Sequence, residues 1–345
     1  MAYSTIPKGS LYMDTKLYTG NNSSLNTISG IPFAPDLIWI KARGAATDHV
    51  LFDKVRGVYK SLSSNDDTVE NNNPNQLQTF TSDGWTMGDL NTSNAATTFA
   101  SWNWKANGAG SANTDGDIAS TVSANTTSGF SICSWTGNGN SGQSVGHGLG
   151  LVPKIMFVKN LNSAQVWRVY VLSLGSDNGM ILNTTSTAGV DSSLWNNSTA
   201  SSSIFYLGSS SSTNGNGNSM IAYIFSDIKG FSKMGSYVGN GNADGTFIYT
   251  GFKPAFVITK GTANISSWSM TDSTISTFND GSLEFFKANE ADGESSRSNY
   301  DILSNGFKMR TTDADYNGSG NNYIYMAFAE NPFVATSGTN AIPVT

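Results

Sequence analysis

Three stretches of the 345-residue sequence repeat one pattern. Each copy opens on an aromatic residue that runs into a Gly-Asn pair: Tyr18-Thr19-Gly20-Asn21, Trp135-Thr136-Gly137-Asn138 and Tyr237-Val238-Gly239-Asn240. Next comes a proline, an unbroken apolar run and a lysine, in PDLIWIK (Pro35 to Lys41), PKIMFVK (Pro153 to Lys159) and PAFVITK (Pro254 to Lys260). Proline cannot donate to a ladder, so these runs predict buried strands with Pro at the first position and Lys at the solvent end. Each copy closes on a run dense in aromatics, FASWNWKA around Trp102, MIAYIFSD around Tyr223 and YIYMAFAE around Tyr325. Such runs favour central strands. Before the closing run, SDGWTMG and SNGFKMR carry Asp-Gly and Asn-Gly, strong hairpin signals, whereas the second copy reads SSIFYLG near Phe205.

Pro35 and Pro153 are 118 residues apart, and Pro153 and Pro254 are 101 apart. That is the size of a small domain and well beyond the roughly 20 to 50 residues of a solenoid repeat. Charged residues make up only 13% of the chain, about half the usual ~25%, and no segment sustains a helical period. The expected fold is therefore all-β: three tandem antiparallel β-sandwich or jelly-roll-like domains. The boundaries are 1–109 for an N-terminal arm and the first repeat, 110–229 for a linker strand and the second, 230–333 for the third, and 334–345 for a tail. A short helical turn is expected in FDKVRGVYKSL after Phe52, and the segment from Asn331 is expected to run along the surface or onto a neighbour.

Composition also excludes function classes. A net charge of -6 provides no basic footprint for a phosphate backbone, so nucleic acid is not expected as a partner. No apolar run approaches the ~18 residues of a membrane span, and MAYSTIPKGSLYMD lacks the charged and apolar regions of a secretory leader; neither membrane insertion nor secretion is expected. Cys133 is the single cysteine. It rules out an intrachain disulfide and a multi-thiolate metal site, and it reads as a small buried residue.

Candidate chemistry is sparse. His49 lies 14 residues after Pro35, as Trp167 does after Pro153 and Trp268 after Pro254, so it occupies a recurring aromatic slot and is expected to pack. His147, in the glycine-flanked SVGHGLG, reads as a turn residue. Asp313, Asp315 and Asn317, followed by Gly318, match the first half of a calcium loop, but its twelfth position is Ile324 where a bidentate Glu belongs. They form at best a weak calcium candidate, and no other metal or cofactor is expected. Gly137-Asn138-Gly139 and Gly239-Asn240-Gly241 open no helix after a parallel strand and read as turns rather than phosphate loops. No carboxylate pair is singled out, so no catalytic centre is expected. Asn214, Asn216, Tyr316 and Asn317, in polar loops at 212–218 and 313–322, are the candidate contact residues, since Asn and Tyr combine adaptable hydrogen bonding with rigid aromatic area.

Taken together, YTGN, FAPDLIWIK, DHVLFDKVRG, SDGWTMG, WNWKA, TVSANTTSGFSI, VGHGLG, GSYVGNGNADGTFIYTGFKPAFVITK and YIYMAFAENPF resemble virion proteins of marine bacteriophages over nearly the whole chain. Members of that family are labelled tail-fibre, tail-adhesin or structural proteins. The resemblance implies a component of the virion surface, made in the host cytoplasm, that takes part in host attachment as a tail fibre or adhesin. Implied partners are other virion proteins, a host surface glycan or protein, and further copies of the chain, a homotrimer above all. Capsid decoration and capsule depolymerase are the alternatives. No catalytic residue comes with the resemblance, and the chain departs from a typical fibre in lacking a heptad shaft.

Overall fold

Each proline-led run becomes the middle of a sheet. In the computed structural model, which describes residues 4–331 apart from 277, 278 and 280, these strands are Leu37–Ala42, Ile155–Asn160 and Pro254–Gly261. Each pairs antiparallel on one side with the closing strand of its repeat, Thr98–Trp104, Ser219–Phe225 or Asn322–Ala329. On the other side lies Val50–Asp53, Arg168–Val171 or Ser269–Asp272. The closing strand pairs in turn with the opening strand, Met13–Thr19, Phe130–Thr136 or Ser232–Val238. One four-strand order thus recurs three times. The runs are apolar without alternation because both of their faces are covered.

One face of each sheet packs on a smaller sheet of its own repeat, giving a sandwich. In the first repeat, Asn26–Ile28, Trp85–Met87 and Leu77–Phe80 cover Ile38, Ile40 and Phe52. In the second, Gln143–Gly146 and Ile204–Leu207 cover Met156, Val158 and Cys133. In the third, the covering strands are Phe247–Tyr249, Gly306–Met309 and Tyr300–Leu303.

The opposite faces of the three sheets meet one another in a shared core. Register makes Trp104, Phe225 and Phe328 equivalent, since they pair with Leu37, Ile155 and Phe256. Their rings touch pairwise edge to face, at 6.0 Å for Trp104 to Phe225, 6.1 Å for Trp104 to Phe328 and 6.0 Å for Phe225 to Phe328. A pseudo-threefold axis runs through this triangle.

Around the axis the repeats join head to tail, and here the expectation for the lysines is corrected. Lys41, Lys159 and Lys260 are fully buried, not solvent-facing. Each ammonium crosses to a backbone carbonyl of the neighbouring repeat: Lys41 to Ala291 at 3.0 Å, Lys159 to Asp67 at 2.9 Å and Lys260 to Thr185 at 3.3 Å. Burial pushes all three down to about 8. The recurring aromatic slot makes the same crossing. Trp167 Nε1 donates to Ser63 O (2.7 Å), Trp268 Nε1 to Ile181 O (2.9 Å), and His49 Nε2 to Lys287 O (3.1 Å). His49 Nδ1 accepts from Trp39 Nε1 at 2.9 Å, which fixes the proton on Nε2. The third repeat thereby returns to the first, and the ring closes.

Other expectations also shift. Pro35 and Pro153 precede their strands, and only Pro254 starts one. After Phe52 the chain makes a single turn at 54–56, closed by Gly57 N–H donating to Asp53 O at 3.1 Å and with Arg56 buried against Asp53, and it re-enters a strand at Lys60–Ser61 without forming a helix in between. In the third closing strand Met326, rather than Tyr325, is the counterpart of Trp102 and Tyr223, because Ile258 pairs with Met326. Tyr325 faces the small sheet and packs on Phe307. The tail from 334 lies outside the described residues.

Candidate interaction surface

The polar loops chosen from sequence serve a structural device. Asn94, Asn214 and Asn317 end three equivalent four-residue helices, Asn91–Asn94, Ser211–Asn214 and Ala314–Asn317, and all three are fully buried. Asn317 Oδ1 accepts from the backbone N–H of Asn240 (3.0 Å), while its Nδ2 donates to Asn240 Oδ1 (3.0 Å), Asn242 O (2.8 Å) and Thr311 O (2.9 Å). Asn214 grips Asn138 and Asn140 the same way, and Asn94 grips Asn21 and Ser23. The repeated Gly-Asn turn is therefore one half of a clamp. Its glycine is required by close approach: a Cβ on Gly20, Gly137 or Gly239 would lie 1.9, 2.4 or 2.4 Å from the carbonyl oxygen of Ala95, Gly215 or Gly318.

Of the four candidate contact residues, Asn214 and Asn317 are thus withdrawn from solvent. Tyr316 is buried as well, edge-on to Phe285. Asn216 alone is exposed. The calcium candidate is also dismantled: Asn317 is in the clamp, Asp313 Oδ1 caps its helix at Asp315 N (2.9 Å), and Asp313 Oδ2 pairs with Arg297 at 2.9 Å. Among the described residues no group of three His, Cys, Asp or Glu converges as metal ligands would.

The remaining candidates are interior. His147 is buried, with Nε2 at 3.2 Å from Ser201 O and Nδ1 accepting from Leu149 N at 3.3 Å. Burial lowers its pKa. Cys133 is buried under the small sheet of the second repeat, and burial pushes its thiol up to about 12, far from a reactive thiolate.

What sequence reasoning missed lies on the third small sheet. Ile28, Val145 and Ile248 are equivalent, paired with Trp85, Phe205 and Phe307. The residues flanking them point the other way, outward. In the first repeat these are Thr27 and Ser29; in the second, Ser144 and Gly146; in the third, Phe247 and Tyr249. Ser144 is already bound by the linker, its hydroxyl donating to Asp117 at 2.7 Å. Phe247 and Tyr249 are 43% and 55% exposed on an edge strand. Beside them Gly306 supplies no side chain, and the Phe247 ring lies over it.

Charge surrounds this aromatic pair. Lys233 sits 5.3 Å from the Tyr249 ring centre and donates to the Tyr249 carbonyl at 2.9 Å. Lys308, across the ladder from Phe247, reaches Asp244 at 2.6 Å, and Arg310 reaches the same carboxylate at 2.7 Å while holding Asp301. The Lys308 hydrogen bond and both cations keep Asp244 below the usual carboxylate range. Comparing the three repeats position by position would have exposed the pair; an F-I-Y run considered alone reads as buried strand.

The chain belongs to the family described as Domain of unknown function (DUF7483), whose model matches residues 8–332. No curated protein and no solved structure matches it.

Proposed function

We propose that the chain is a non-enzymatic component of a bacteriophage virion surface, placed in the tail-fibre or adhesin apparatus, and that it meets the host through the outer face of its third repeat. The observation that carries this reading is the exposure of two aromatic rings, Phe247 and Tyr249, at positions where the sister repeats hold Thr, Ser or Gly. An exposed aromatic pair with Lys233, Lys308 and Arg310 around it matches an apolar interface centre with a polar rim, and a rigid sandwich presents it without an ordering cost. The ring itself supports a particle role. Within one chain it buries the sheet faces that a trimer of single-repeat subunits would bury against each other, and further copies on the particle would add avidity toward a host glycan or protein.

Adsorption of phage in the presence of excess free protein tests the reading. The parent protein should compete, and a Phe247→Ser, Tyr249→Ser double variant should not. Antibody labelling of the icosahedral shell together with no competition would establish capsid decoration instead. Steady release of reducing ends from host capsule would establish a depolymerase.

A further inference from the structure

The second repeat covers one flank of its sandwich with its own chain, and the third leaves the same flank bare. In the second repeat, residues 117–125 cross the edges of both sheets. Ile118 bridges in parallel to Val145 on the small sheet, and Ser120–Asn125 then pairs antiparallel with the opening strand Phe130–Thr136. The Asp117 carboxylate accepts from the backbone N–H of Ser144 (3.0 Å) and from its hydroxyl (2.7 Å), while Ile118 N–H donates to Ser144 O at 3.0 Å. Ile118, Ser120 and Val122 are buried, and Ala119 and Thr121 between them are exposed.

In the third repeat the corresponding strands, Ser232–Val238 and Phe247–Tyr249, are the outermost of their sheets among the described residues. Their ladders fix which backbone groups face outward. Met309 N–H donates to Thr246 O (3.0 Å) and Gly239 N–H to Asn321 O (2.9 Å). By antiparallel alternation, the N–H and C=O of Phe247 and of Ser236 turn away from those ladders toward the open side. Such an edge is a template for another strand.

Charge sets this flank apart from its sisters. Where the third repeat has Lys233 and Lys308, register places Ser131 and Tyr206 in the second and Asp14 and Thr86 in the first. Lys308 lies across the ladder from Phe247, the counterpart of the Ser144 that holds Asp117. An acidic side chain in the place of Asp117 would therefore meet both the Phe247 N–H and a lysine. Asp244, which takes Lys308, is also held by Arg310, so Lys308 can turn to a newcomer. Lys233 spans the gap to Tyr249 O through an exposed bond that an incoming strand displaces.

We propose that the third repeat binds an extended strand of a protein partner, led by an acidic residue and continued by alternating aliphatic and small residues, which completes both sheets as residues 117–125 do in the second. Main-chain bonds supply affinity in such strand addition, and the acidic residue supplies specificity. The assignment makes the host partner of the attachment reading a protein segment rather than a glycan, and it rests on that reading for its biological setting.

A labelled synthetic peptide of residues 115–126, DGDIASTVSANT, titrated into the purified full chain by fluorescence anisotropy, tests it. The peptide should bind saturably. N-methylation at its Ile118 and Thr121 positions removes two donors without touching the protein and should weaken binding at least tenfold. Lys308→Glu should do the same, whereas Thr86→Glu, at the equivalent place in the first repeat, should leave binding unchanged. No saturable binding, or binding indifferent to N-methylation or to Lys308→Glu, would overturn the proposal. The adsorption assay keeps the two readings apart. Free protein that competes for adsorption yet ignores the peptide leaves attachment standing and removes the strand; peptide binding without competition upholds the strand and removes the host as its source.

Discussion

At the axis the three repeats place aromatic rings at equivalent inward positions, whereas their outward faces share almost nothing. At the axis the equivalent positions hold Trp104, Phe225 and Phe328, all aromatic and all in mutual contact. On the outside the equivalent positions hold Thr27, Ser144 and Phe247, of which one is solvated, one is bound by the linker and one is an exposed ring. An inward side chain must satisfy two neighbouring repeats at once, so its size is tightly constrained. An outward side chain answers only to solvent or to a partner. The difference separates what holds the ring from what it presents.

The sharpest way to break that contrast is at the triangle. Trp104→Ala should cost about 3–5 kcal/mol, the range for deleting a buried aromatic, and all three repeats should melt together in one calorimetric transition. Three separate transitions would show that the shared core does not couple them. Trp104→Phe makes the axis chemically uniform and removes an indole N–H that has no hydrogen-bond partner. It should cost far less than the alanine change.

The clamp should come next. Asn317→Ala strands the Asn240 N–H together with the Asn242 and Thr311 carbonyls, for about 1–3 kcal/mol by the usual cost of unpaired buried groups. Urea midpoints measured for Asn94→Ala, Asn214→Ala and Asn317→Ala should fall by similar amounts. A neutral Asn214→Ala would mean that the clamp is ornamental in the second repeat.

A smaller effect belongs to the joint between the third repeat and the first. Burial holds His49 down to about 3, with Lys41 adding to the effect. Between pH 3 and 6.5 the unfolded chain therefore binds more protons than the folded one, and this contribution to stability is lost as pH falls through that window. Asp14 and Asp272, raised to about 6 chiefly by burial, act oppositely. Between 3.8 and 6 the folded chain holds more of their protons, so they add stability on acidification. His49→Phe isolates the first contribution: melting temperature should be lower than the parent's at pH 7, and the gap should narrow toward pH 4, by about 2–4 °C for each kcal/mol. A constant gap would contradict a neutral buried imidazole.

Least of all should stability respond at the outer face. Phe247→Ser with Tyr249→Ser should stay within about 0.5 kcal/mol per site in thermal unfolding. A large loss there would mean that the pair is structural, and the attachment reading would lose its support.

Sequence revealed the repeated unit because each strand leaves a local mark, proline before it and an apolar run within it. It misplaced the lysines because a charge at a strand end looks the same whether water or a neighbour's carbonyl awaits it; Ala291, Asp67 and Thr185 are far from their lysines in the chain. The Gly-Asn turn was visible but its partner was not. Asn94, Asn214 and Asn317 sit in Ser- and Asn-rich loops where burial leaves no compositional trace. The slot holding His49 was legible only through its sisters Trp167 and Trp268, and its bond to Lys287 was not legible at all.

Closure of the ring also sets an order in time. Lys41 and His49 belong to the first repeat to leave the ribosome, yet their acceptors lie 250 and 238 residues downstream. Until those residues are made, a charged amine and one side of the aromatic core have nothing to rest against. The first and second repeats can settle on each other early through Trp167 and Lys159, but the last seam must await nearly the whole chain, and such distant contacts form slowly. The nascent protein is thus an open arc with one sticky end, and its vulnerability to aggregation or to a neighbour's third repeat is greatest just before it becomes a circle.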